Sequence, residues 1–315
     1  MASVGQSSPQ ISRVSMHALT PQQFNQQFQV LGWPVVITDL LESEPDWNLN
    51  YLCDQIGEQS FLIRCYGRDR HSPDKRQWTT IGSGVPVQML RFRDYAELLR
   101  NRQAHSQDLY LAKCPLHETP LGQSLALQNL GECLGLRQPL SNLNLWVGPG
   151  GHVESLHYDP SDGTLMQLHG DKKVMLFPPH QWANLYAFPI SVHLRHGMKL
   201  RCWFSQVNLN APDFEAFPQL PIALQHQVEV ILKAGELLYI PAGWWHEVTA
   251  LGTEMSCSVN RFWSIEPRSR QLLSWPQWRT YLGSACAIPQ IMASLIQALL
   301  SSDPKQKMTE IRRLI

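Results

Sequence analysis

Hydrophobic positions follow two different periods along this chain. Between about residues 16 and 114, helical and strand patterns alternate. Thr20 followed by Pro21 makes an N-cap and first-turn pair that predicts a helix through about Phe28, stopped by Gly32. WPVVITDL then predicts a buried strand. A helix near 48–56, strands at FLIRCYG and VQMLRF, a helix over 93–102 and a strand at DLYLAKC follow. From about residue 141 the pattern shortens. NLNLWV, HVESLHY, TLMQLHG, KKVMLFP, QVEVILK, ELLYIPA, HEVTAL and EMSCSVNRFW succeed one another, separated by turn residues such as GPGG and PSDG. Many short strands at even spacing predict a sandwich or barrel. The stretch 180–227 interrupts them without a strand period. The last fifty residues turn helical, with Ile288, Ile291, Met292, Leu295, Ile296 and Leu299 on one stripe and Met308, Ile311 and Leu314 continuing it. That stripe has two readings, a cap over the barrel core or a face that forms a homodimer. Residues 1–15, rich in Ser and Gln, are expected to be flexible.

Composition acts mainly by exclusion. With 26 basic and 26 acidic residues in 315, the net charge is zero, so no global field favours nucleic acid or an anionic membrane. The densest basic run, RDRHSPDKR at 68–76, is broken by Asp69, Asp74 and Pro73 and reads as a solvated loop. Seven widely spaced cysteines without a C-x-x-C pair argue against a disulfide framework or a structural zinc, and for a reducing compartment. The polar N-terminus shows no secretory h-region, and no apolar run is long enough to span a bilayer. A cytoplasmic protein is expected, or a nuclear one in a eukaryote.

The chemistry gathers at SLHYDPSDG. His157 and Asp159, two apart on a strand, face the same side and offer an imidazole and a carboxylate to one point. With 12 His and 26 acids, chance alone yields about one such tripeptide (12 × 26/315), so the motif needs support from elsewhere. His152 and Glu154 have the opposite parity; on an unbroken strand they would face away. A two-His, one-carboxylate site needs a third ligand from a distant strand, and His246, after the Pro241–Gly243 bend in LYIPAGWWHEV, supplies it.

NLWVGPGG, LHYD, the hairpin ending in GDKKVMLFPP, GELLYIPAGWWHEV and SVNRFW together resemble the JmjC (cupin-like) family of Fe(II)- and 2-oxoglutarate-dependent oxygenases. The likeness is strongest to small hydroxylases such as factor inhibiting hypoxia-inducible factor. It covers roughly 140–264, with looser matches at DLYLAK, QFQVLGWPVVITD and the C-terminal helices. It implies a mainly β fold, a double-stranded β-helix (jelly roll) with N-terminal α/β elaboration and C-terminal helices. The catalytic domain would run over 16–265 and a helical region over 266–315. It further implies Fe(II) on His157, Asp159 and His246, with 2-oxoglutarate and O2 as co-substrates. Lys172 would take the far carboxylate of 2-oxoglutarate, Tyr110 would hydrogen-bond it, and Asn260 would line the pocket. Lys173 faces the other way by strand parity.

Two positions depart from the family pattern. Where a Ser or Thr commonly stands three residues before the first metal His, this chain has Glu154; where an Asn is common six residues after it, this chain has Gly163. Ser155 or Thr164 would restore the lost hydroxyl after a one-residue shift, whereas Glu154 would repel a bound carboxylate unless protonated, turned away or paired. The functional expectation is an oxygenase that hydroxylates a side chain of a protein or peptide, releasing succinate and CO2. A small-molecule or RNA-modifying hydroxylase, and a metal-binding cupin without 2-oxoglutarate turnover, stay open as alternatives.

Overall fold

Eight consecutive strands make the barrel that carries the site: β6 (Asn144–Pro149), β7 (Val153–Tyr158), β8 (Asp162–His169), β9 (Lys172–Phe177), β10 (Val228–Leu232), β11 (Leu237–Ile240), β12 (Trp245–Ala250) and β13 (Met255–Trp263). The computed structural model describes residues 11–71, 74–82 and 84–300. The chain passes back and forth between two antiparallel sheets. One has the order β10-β9-β12-β7, and the other contains β11-β8-β13-β6. This is a double-stranded β-helix, a jelly roll.

The second sheet is extended at both ends by the N-terminal strands β1 (Arg13–Ser15), β2 (Val35–Thr38), β3 (Ser60–Cys65), β4 (Val87–Arg91) and β5 (Leu109–Pro115), giving nine strands in the order β1-β2-β11-β8-β13-β6-β5-β3-β4. Residues 13–15, expected to be flexible, instead pair in parallel with Val36–Thr38. Residues 1–10 of that expected tail lie outside the described residues.

Strand alternation separates three apolar clusters. The odd-numbered β13 residues Cys257 and Val259, with Met166, Leu145 and Leu111, bury against the N-terminal helices. Val174, Leu176, Leu238 and Ile240 fill the barrel interior. On the outer face of the four-stranded sheet, Leu156, Tyr158, Phe177 and Trp245 are covered by Leu185, Phe188, Phe204 and Leu220 from the 180–227 insertion. That insertion had no legible period because it follows the sheet as loops and short helices rather than as an element with a repeating face.

The expected helix at Thr20 forms with a full capping box, Thr20 and Gln23 bonding each other's backbone N–H. The helix at Leu49–Ile56 is capped by Asn48, whose Oδ1 accepts from Asn50 and Tyr51 at 3.0 Å. The C-terminal helix begins earlier than the apolar stripe, at Trp275, and runs to Leu300 through Pro289. It lies against the short helix Val192–His196. Ile288, Met292 and Ile296 of the stripe are exposed, and Met308, Ile311 and Leu314 lie outside the described residues. Among the described residues, no helix is long and apolar enough to cross a membrane.

Candidate metal centre

His157 and His246 sit opposite each other on the paired strands β7 and β12. Asp159 follows at the end of β7, and one donor atom from each of the three lies within 4.8 Å of the others. The rings of His157 and His246 are 4.3 Å apart, and His246 Nε2 is 3.5 Å from Asp159 Oδ2. Each imidazole is locked through its other nitrogen: His157 Nδ1 bonds the Ser155 carbonyl at 2.7 Å, and His246 Nδ1 the Trp244 carbonyl at 3.0 Å. A carbonyl can only accept, so Nδ1 carries the proton and Nε2 keeps its lone pair. Two imidazoles and one carboxylate, with no fourth His, Cys, Asp or Glu grouped with them among the described residues, suit a divalent transition metal such as iron; a structural zinc would close the set with a fourth protein donor.

Electrostatics fit the same arrangement. Burial, then the neighbouring His246, lowers the His157 pKa and keeps it neutral. Burial works against the Asp159 carboxylate, but the bond to His246 and the charges around it hold it below the usual range. His246 is raised because its bond and proximity to Asp159 outweigh burial. A metal would compete with that proton for the same Nε2 lone pair.

The residues expected to hold a co-substrate divide. Lys172 points into the barrel, almost fully buried, and its Nζ donates to Ser258 Oγ at 2.5 Å. Tyr110 lies flat on Gly148, where any Cβ would fall 1.8 Å from its Cδ2. Asn260 faces the same space and accepts from Trp146 Nε1 at 2.8 Å. Lys172, with its buried ammonium, suits a carboxylate. Thr164 does not join it. Its side chain turns to the opposite face of β8, accepting from Trp263 Nε1 at 3.0 Å and donating to the Arg261 carbonyl at 3.3 Å. The hydroxyl beside Lys172 comes from Ser258 on β13.

The largest correction concerns His152 and Glu154. Their parity relative to His157 holds only on a regular strand, and β7 is not regular. His157 pairs with His246, yet Glu154 pairs with Val248, so two residues of β7 oppose one of β12. This bulge at Ser155–Leu156 restores Glu154 to the face that carries His157. Burial opposes its charge, but Arg70 foremost, then His157, His152 and Arg64, hold the Glu154 carboxylate below its ordinary range, so it is an anion at neutral pH. His152 is buried too. Its Nδ1 meets Asp108 Oδ1 at 2.7 Å, and its ring stacks on Tyr110 at 3.8 Å. Nor is the 68–76 run merely solvated: Arg70 donates to the Val153 carbonyl, and Lys75 is buried. No local signal marks these residues, because a bulge and a long-range guanidinium contact leave no periodic trace.

The family model described as a cupin-like domain matches residues 21–269. Lysine-specific demethylase JMJ30 of Arabidopsis thaliana is 30% identical over 259 residues, covering 80% of this chain and 54% of the relative. JmjC domain-containing protein D of Dictyostelium discoideum is 29% identical over 252 residues, 74% of this chain and 52% of the relative. Lysine-specific demethylase 8 of Xenopus tropicalis is 25% identical over 253 residues, 79% and 52% respectively. The chain thus spans about half the length of these curated relatives.

Proposed function

The chain belongs to the cupin-like (JmjC) domain family, and from that premise we propose that it is an Fe(II)- and 2-oxoglutarate-dependent oxygenase that hydroxylates a side chain of a protein or peptide. The observation that carries this reading is the triad His157, Asp159 and His246, with both imidazoles tautomerically fixed so that Nε2 faces the common point. Iron bound with 2-oxoglutarate would supply the oxidation of a C–H bond by O2, one oxygen atom entering the product hydroxyl and the other the succinate formed with CO2 from the co-substrate.

The protein's own part is to hold and aim. His157, Asp159 and His246 would hold the metal, and the carbonyls of Ser155 and Trp244 keep the two rings in orientation. Lys172, seated on Ser258, would take the far carboxylate of the co-substrate, with Tyr110 and Asn260 lining its recess. Glu154 is compatible with that anion because Arg70 and Arg64 already balance its charge. Two of the relatives are named lysine-specific demethylases; removal of an N-methyl group begins with hydroxylation of its carbon, so demethylation is a special case of the same chemistry.

The test is succinate formation from 2-oxoglutarate by the purified protein with Fe(II) and ascorbate, beside His157→Ala, with Fe(II) and 2-oxoglutarate binding titrated on the same samples. Turnover or co-substrate binding that requires His157 supports the reading. A protein that binds Fe(II) but no 2-oxoglutarate would be a metal-binding cupin without this co-substrate, and the proposal would fall.

A further inference from the structure

One wall of the barrel mouth, beside His157 and Asp159, is built from cations on separate elements. Arg64 stands on β3 opposite Tyr110 of β5, and its Nη1 donates to Tyr66 Oη at 3.2 Å. Arg70 lies over the same Tyr66 ring, its Cζ 4.1 Å from the centroid, and is tied to the carbonyl of Val153, the residue before Glu154. Arg201 arrives on the segment that extends the sheet past β7. There Phe204 forms a bridge to His157 and stacks on its ring at 4.7 Å, while the Arg201 Cζ lies 5.5 Å from the Trp203 centroid. Lys113 sits at the irregularity of β5, with φ 57°, and its exposed side chain comes within electrostatic range of Arg201, Arg64 and Asp159.

The crowding of like charges is visible in these groups. Burial first, and Arg64 second, bring Arg201 down to about 10. Lys113 reaches solvent, yet loss of water around the rest of its side chain, and then Arg201 and Arg64, lower it. Four cations, Arg64, Arg70, Arg201 and Lys113, thus face two carboxylates, Glu154 and Asp159, and Asp159 is a metal donor. Iron with two positive charges and 2-oxoglutarate with two negative ones would cancel, so the surplus remains when both are bound.

Resting on the oxygenase reading above, we propose that this wall recognises a carboxylate of the substrate beside the carbon to be oxidised, carried by an acidic side chain of a peptide or by a free carboxylic acid. Guanidinium groups pair with carboxylates through two parallel N–H donors, and Glu154 already lies in the field of Arg70 and Arg64. Arg201, whose Nε donates to the Met198 carbonyl at 3.3 Å, and Lys113 both lie within electrostatic range of Asp159 and bring the positive charge that an incoming carboxylate would meet.

The experiment uses the full chain under anaerobic conditions with Fe(II) and 2-oxoglutarate, where the visible absorption of the metal–2-oxo acid chelate reports loading. Three probes are titrated by calorimetry: a blocked hexapeptide containing Asp, its Lys counterpart, and N-acetylaspartate. The Asp peptide or N-acetylaspartate is expected to bind about tenfold or more tighter than the Lys peptide at low salt. The preference should shrink as salt rises, and Lys113→Gln and Arg201→Gln should each remove most of it. Whichever acidic probe binds tighter identifies the source of the carboxylate. Lys113 is exposed, so its variant tests the wall even if Arg201→Gln fails to fold, which a melting curve records. Equal or tighter binding of the Lys peptide, or an Asp preference unchanged in Lys113→Gln, overturns the proposal. Absence of the chelate absorption while the acidic preference persists would instead overturn the oxygenase reading and leave the anion site standing.

Discussion

At the scale of single residues, the metal donors act through groups that never touch the metal. A ring whose Nδ1 is tied to a carbonyl cannot swap tautomers without losing that bond, so Nε2 is presented in one orientation. Replacing His246 by Ala, or Asp159 by Asn, is expected to weaken Fe(II) binding by at least about 100-fold, read by metal titration against an indicator. Lys172 gives a pH signature. Burial lowers its pKa to about 8, and a bound carboxylate would favour the charged ammonium and raise it. Affinity for 2-oxoglutarate should therefore be full below about pH 8 and fall as pH rises through and above it, by up to about tenfold per unit until the raised pKa of the bound state is passed. Dissociation constants between pH 7 and 9.5, with Lys172→Met as a flat reference, check this; a flat wild-type profile would remove Lys172 from the co-substrate site. The placement of His157, His246 and Lys172 was legible because each sits on a strand on the near side of any irregularity, and Asp159 follows β7 by a single residue. Glu154 and Thr164 were not. A bulge turned the first inwards, and the face of β8 that Thr164 occupies is fixed by its bonds to Trp263 and Arg261, which sequence spacing cannot anticipate.

At the scale of elements, the alternation of short strands after residue 141 predicted the barrel nearly strand for strand, since period-two patterning and turn residues are local signals. The sheet order was not in that pattern; it came from the family resemblance. Short helical pieces between Leu116 and Leu134 escaped notice because one or two turns cannot display a face. What the strands must bring together is closer than patterning can specify, and Gly148 of β6 shows it. A Cβ there would enter the Tyr110 ring at 1.8 Å, whereas a Cβ at Gly163 of β8 meets nothing nearer than Phe262 Cε1 at 3.6 Å. Gly148→Ala is expected to cost about 1–3 kcal/mol of stability by overpacking and to weaken 2-oxoglutarate binding through displacement of Tyr110. Gly163→Ala should change stability by less than about 0.5 kcal/mol. Thermal unfolding of both variants tests the pair, and equal effects would mean that Tyr110 does not need the flat contact.

At the scale of the whole molecule, Asp162 ties together the two loops that flank the metal donors. It lies three residues after Asp159 and is fully buried. Tyr239 Oη donates to its Oδ2 at 2.7 Å, and the Ala242 N–H, four residues before His246, donates to its Oδ1 at 2.9 Å. The Gly243 N–H donates to the Asp159 carbonyl at 2.9 Å and adds a second link. Arg270, from beyond the barrel, completes the knot by pairing with Asp162 while also donating to the carbonyls of Gln29 and Glu266. One guanidinium thereby joins the N-terminal helical segment, the barrel and the C-terminal region. Burial raises the Asp162 carboxyl, and Arg270 is the first of the groups that counter it. Arg270→Met should leave a buried carboxylate without its counter-charge, destabilising the protein by about 3 kcal/mol at neutral pH and loosening both metal loops. The sign of the pH dependence follows. Without Arg270 the folded-state pKa of Asp162 rises above its value in the wild-type fold, so the variant's deficit grows as pH increases from the wild-type folded-state pKa to the variant's, then levels off. Urea unfolding at pH 5 and pH 8 should show a smaller deficit at pH 5, and adding Asp162→Asn to Arg270→Met should recover much of the loss at pH 8. A deficit independent of pH and untouched by the second substitution would assign the role of Arg270 to its contacts with the Gln29 and Glu266 carbonyls instead.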